Sequence, residues 1–159
     1  MNTDHSAHWW QAHNEARYAQ RLCQRTARLY RRLDAAATFA AVMSGSAAMS
    51  ALVAGVPPWV PVLGAALLAT VGAAQLAARP AEKAALNEAD ARKYAELLAQ
   101  AQAMDAATLA LALALARVSD APDVEPLRDV AWNDVMQEIG RPELAAALRP
   151  TQRVLAALA

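Results

Sequence analysis

AAATFAAVMSGSAAMSALVAGVPPWVPVLGAALLATVGAAQLAA, residues 35–78, runs 44 positions without a charged side chain. An uncharged apolar run of about eighteen residues or more reads as a membrane span. This run is about twice that length, and Pro57, Pro58 and Pro61 interrupt it. Proline has no N–H to donate and disfavours helix in the residue before it, so the chain must turn there. The expected structure is a transmembrane helical hairpin with spans at about 35–56 and 60–78. The first is 22 residues, about 33 Å long, and the second 19 residues, about 28 Å, against a hydrocarbon core of about 30 Å. Pro61 can open the second helix, where a missing N–H costs nothing. Trp59 falls at the tip, at the depth an indole prefers.

The flanks set the orientation. Arg17, Arg21, Arg25, Arg28, Arg31 and Arg32 precede the run, Arg79, Lys83, Arg92 and Lys93 follow it, and the turn carries no base. The positive-inside rule then places both termini in the cytoplasm and the turn outside, in a multi-pass protein. Arg28, Arg31, Arg32, Trp59, Arg79 and Lys83 are the expected membrane-interface anchors. A cleaved signal is a poor alternative, because residues 1–34 are polar and the apolar run is too long.

Small residues recur every four positions, as Ala36, Ala40, Ser44 and Ala48 in the first span and Ala65, Ala69 and Ala73 in the second. Such rows let helices approach closely in lipid. One reading is a packing seam between the two spans of a single chain. The other is a self-association face, with Ser44, Ser46, Ser50, Thr70 and Gln75 along a polar path. Ala40, Ser44, Ala48, Ala65, Ala69, Ala73 and Gln75 are thus the candidate packing or pore-lining residues.

The rest of the chain reads as helix, so the fold class is all-α. Alanine supplies 44 of 159 residues, and no strand pattern of period two appears. Residues 1–34 form a basic amphipathic helix with Tyr18, Leu22, Thr26, Leu29 and Leu33 on one face and a net charge of +3 (six Arg against Asp4, Glu15 and Asp34). Residues 79–118 are expected as one long cytoplasmic helix carrying Leu86, Tyr94, Leu97, Leu98, Ala101, Met104 and Leu109. Leucines all round Leu109–Leu115 imply burial on several sides, within the domain or against a second subunit. Residues 119–159 follow as a C-terminal helical region, with a linker to Glu125, a helix over Pro126–Ile139 stopped by Gly140, and short helices over Glu143–Leu148 and Thr151–Leu158.

Motifs for catalysis and ligand binding are missing: no phosphate-binding glycine loop, HExxH, GxSxG or calcium loop occurs. His5, His8 and His13 match no metal spacing. Cys23 reads as a small packing residue with no base to activate it, and Asp129, Asn133 and Asp134 read as surface polar residues. The expectation is no enzyme, no cofactor and no metal. The arginines suit anionic lipid better than nucleic acid in a chain of zero net charge.

Ala16-Arg17-Tyr18 through Leu29-Tyr30-Arg31-Arg32, two spans with a minimal turn, and Tyr94-Ala95-Glu96-Leu97 together resemble the SLATT family, two-transmembrane effector domains of bacterial and phage conflict systems. Trp132-Asn133-Asp134, ending at Gly140, is also similar to segments in small prophage membrane proteins of this layout. The resemblance covers about residues 10–110. It implies a homo-oligomeric bacterial inner-membrane effector that forms a pore or perturbs the membrane when another protein signals. The alternatives are a membrane-anchored scaffold that offers residues 119–159 to a cytoplasmic protein, and a holin-like lysis protein.

Overall fold

Proline, glycine and one aspartate decide where the helices end. The computed structural model describes residues 3–53, 57 and 59–159, and the side chains of 6–46, 57 and 59–159. The end of the first expected span and most of the proline turn lie outside the described residues. Six α-helices are described: α1 (Thr3–Val53), α2 (Trp59–Ala78), α3 (Pro80–Gln100), α4 (Ala106–Arg117), α5 (Arg128–Glu138) and α6 (Pro150–Leu158). No strand occurs among the described residues. The expected all-α class is what the chain adopts.

Two compact units divide the chain: Met1–Leu29 with Lys83–Ala159, and Tyr30–Glu82. In the first, α1 is apolar on more than one side. Ala16, Ala19 and Cys23 pack against Ala91 and Tyr94 of α3 and Leu113 of α4, while Ala12 meets Ala101 and Leu109. Leu22 and Leu29 pack instead against Leu127, Val130, Ala131 and Ala159 of the C-terminal region. Alanines keep the α1 backbone close to α3. Tyr94, Leu109 and Leu127 fill the remaining space and are fully buried. Truncating Leu109 or Leu127 to alanine would cost about 2–5 kcal/mol.

The expected long helix over 79–118 does not form. After a 3₁₀ turn at Ala101–Ala103 the chain reverses, and the Asp105 side chain accepts from the Thr108 N–H at 2.7 Å to start α4. An N-cap satisfies a donor that a through-running helix would not leave open. The reversal brings Leu109 and Leu113 onto α1 and α3, so α4 folds back rather than extending α3. Leu86, expected on the apolar face, is 50% exposed, and Asn87 is buried in its place.

Gly140 ends α5 at φ 71°, as expected of a glycine stop. The short helix expected over Glu143–Leu148 is instead a 3₁₀ turn at Pro142–Leu144 followed by extended chain.

In the second unit, Arg79 takes φ 45°, and its N–H caps α2 on the Gln75 carbonyl at 2.9 Å. This is the left-handed C-cap usually given to glycine. Pro80 follows and disfavours right-handed helix at Arg79. α2 therefore stops at Ala78, the last residue of the uncharged run.

Candidate functional site

The Tyr30–Glu82 unit exposes an unusual amount of apolar side chain. α2 has no buried residue. Among the described residues one stretch long and apolar enough to cross a membrane occurs, within Trp59–Ala103, and none of it is buried. Phe39, Val42, Val62 and Leu76 are each more than 60% exposed.

Within residues 34–78, Ser44 is buried, and the partly covered positions are Asp34, Ala37, Ala40, Ala41 and Gly45 on α1 and Val60, Pro61, Gly64, Val71, Gly72 and Gln75 on α2. Gln75 Nε2 donates to Thr38 Oγ1 at 3.4 Å, joining the two helices. Of the expected small-residue rows, Ala40 is partly covered and Ser44 buried, whereas Ala36, Ala65, Ala69 and Ala73 are exposed. The Ala48 side chain is outside the described residues. The alanine row of α2 is therefore uncovered, and Gly45 and Gly72 also face open space. Two of the expected path hydroxyls bond within their own helices. Ser44 Oγ donates to the Ala40 carbonyl at 2.7 Å and Thr70 Oγ1 to the Ala66 carbonyl at 2.8 Å.

Of the expected interface anchors, Arg31, Arg32, Trp59 and Arg79 are exposed in this unit, with Arg79 on Glu82 at 3.3 Å. Arg28 and Lys83 are exposed in the other.

In the larger unit the arginine stripe has a second use. Arg25 donates through Nε and Nη2 to both oxygens of Asp134, at 2.8 and 2.9 Å, and through Nη1 to the Ala156 carbonyl at 3.3 Å. Hydrogen bonding to Asp134 holds its pKa above the ordinary arginine value. Arg21 pairs with Glu138. Both contacts fix α5 to α1, a role the topological reading of these arginines did not include.

Trp132, Asn133 and Asp134 each tie down a different element. Trp132 Nε1 donates to the Leu144 carbonyl at 3.1 Å. Asn133 holds Ala146 on both sides, and Asp134 takes Arg25. Asp129 accepts from Gln152 at 2.7 Å, while Gln152 Oε1 accepts from the Arg149 N–H at 2.8 Å. Asp129 is exposed and Asn133 and Asp134 half-buried, so these polar groups lie at the surface, as expected, and also fasten neighbouring segments.

A further polar cluster anchors the turn after α4. Lys93 Nζ reaches Asp90 at 3.0 Å, Asp120 at 2.7 Å and the Ala116 carbonyl at 2.7 Å. Tyr94 donates to Asp120, and Asp90 accepts from the Ala121 N–H at 2.8 Å. Burial, then the bond to Asp120, pushes the Tyr94 pKa far up. Cys23 is buried, and burial with Asp120 and Asp90 pushes its thiol to about 12. It is protonated at neutral pH and packs as the sequence suggested. His8 is exposed, His13 is buried, and the His5 side chain is outside the described residues. Among the described residues no three metal-ligating side chains come together.

No family model, curated protein or solved structure matches the chain.

Proposed function

We propose that the protein is an oligomeric inner-membrane effector, anchored by a helical hairpin with both termini in the cytoplasm, that perturbs or permeabilises the bilayer. The observation that carries this reading is α2, an apolar helix of 20 residues with none buried. In water such a surface would be costly at about 25 cal/mol per Å² of apolar area. In lipid it needs no protein cover. The proline turn, the Thr38–Gln75 contact and the flanking arginines agree with a hairpin. The SLATT-like layout supplies the effector role.

A membrane-anchored scaffold is the second reading. It is favoured by the fastened C-terminal module, which exposes Val154 (61%) and Leu158 (44%) of α6.

Membrane potential and viability under induced expression test the first reading, comparing wild type with Ser44→Leu and Ala69→Leu. Depolarisation lost in either variant supports an effector acting through the hairpin. An intact potential at full expression, with a partner captured through residues 119–159, supports the scaffold. Cysteines placed at residues 57–59 and labelled only from the cytoplasm would overturn the topology.

A further inference from the structure

His13 is 8% exposed near the start of α1. Its ring stacks on Trp9, with centroids 4.8 Å and planes 17° apart, and meets Trp10 edge-on at 5.8 Å. Its Nδ1 is buried without a hydrogen-bond partner. Trp9 in turn ties α1 to the segment after α3, because its indole N–H is shared by the carbonyls of Ala101 and Met104, each at 3.2 Å. One turn along, Ala12 packs on Ala101 and Leu109. The imidazole thus lies against the indole that holds this end of the bundle closed.

We propose that His13 is an acid-sensitive latch: neutral, it seals the Trp9 contact with Ala101 and Met104, and protonated, it releases residues 6–16 from the α3–α4 connection. Protonation puts a charge and a second N–H donor where Nδ1 has no acceptor, which is unfavourable away from water. On its own helix Arg17, one turn on, carries the same charge. The apolar cluster around the neighbouring Trp9 and Ala12 takes in Leu97, Ala101 and Met104 from α3 and its exit and Leu109 from α4. Among the described residues Arg17 is the one charge felt at the imidazole. The carboxylates of this region are engaged elsewhere. Asp105 caps α4, and Glu15 accepts from Arg117 at 3.0 Å and Gln11 at 3.2 Å. Attraction between an imidazolium and the Trp9 face works against release. It does not supply the missing acceptor or remove Arg17.

Burial, and then Arg17, lowers the His13 pKa from 6.5. The sign follows from linkage. Above pH 6.5 the imidazole is neutral whether the latch is open or closed, and the closed form keeps its full advantage. Between 6.5 and the lower closed-state value, each unit of acidification raises the open fraction by up to about tenfold. Below that value the gain stops. This latch is independent of the membrane reading.

Deuterium uptake by the full chain in detergent, at pH 7.5 and 5.0 and corrected for intrinsic exchange rates, tests it over residues 6–16 and 98–106. Wild type is expected to exchange faster at pH 5.0, by up to about tenfold per pH unit across that window. His13→Gln is expected to show no acid gain. Arg17→Gln brings the closed-state pKa nearer 6.5, so its gain shrinks. Equal uptake at both pH values in wild type, or an undiminished gain in His13→Gln, would overturn the proposal. If His13→Gln does not fold, the His13 ring resonances of wild type decide: titration at or above pH 6.5 overturns the latch, and titration below it supports it.

Discussion

Asn133 grips Ala146 from both sides. Its Oδ1 accepts from the Ala146 N–H at 2.7 Å, and its Nδ2 donates to the Ala146 carbonyl at 2.9 Å. One side-chain amide thereby does for extended chain what a neighbouring strand would do. Because its partner is backbone, the grip depends on the amide at 133 and not on which side chain stands at 146.

Asn133→Ala should lower unfolding stability by about 1–3 kcal/mol, from two lost bonds and two partly buried backbone groups left unpaired. Limited proteolysis should then cut within 145–149. An unchanged melting temperature with no new cleavage would show that the grip adds nothing.

Arg25→Lys should destabilise the α1–α5 contact although it keeps the charge. Lysine cannot present two parallel N–H groups to Asp134. The side chains are 21% and 24% exposed, so salt screens the pair only partly. A double-mutant cycle of Arg25→Lys with Asp134→Asn should return a coupling of about 1–2 kcal/mol. Simple additivity of the two would deny the fork.

Thr26 is fully buried, and its hydroxyl has no partner. Thr26→Val keeps the shape and removes the unpaired group, so thermal stability should rise by about 1 kcal/mol or more. A fall would mean that the hydroxyl is satisfied in solution.

Burial, with Asp120 and Asp90 nearby, pushes the Cys23 thiol up to about 12. Maleimide labelling of native protein at pH 8 should be about a thousandfold slower than that of a free thiol, since only thiolate reacts. The same shift makes the fold alkali-sensitive. An unfolded thiol ionises near pH 9 while the folded one stays neutral to about 12, so stability is full below 9 and falls between 9 and 12. Cys23→Ala should flatten that fall, and a slope identical to wild type would place it in other groups, such as Tyr94.

The residues that sequence reasoning read well act locally. Gly140 stops a helix, and prolines punctuate the chain, because backbone sterics need no partner. Asp105 and Thr108 also form a local signal, a cap at three-residue spacing. It went unread because the apolar pattern on both sides suggested one continuous helix. Asn133 and Asp134 were not legible as fasteners, since their partners are Ala146 and Arg25 and no spacing rule connects positions 25 and 134.

Ser44 and Thr70 carry their acceptors with them, each on its own helix, whereas Gln75 reaches to Thr38 on the other. The Ser44 and Thr70 hydroxyls are therefore satisfied whatever lies beside their helices. The Gln75–Thr38 bond exists only while α1 and α2 are neighbours, so breaking it reports on their separation and nothing else.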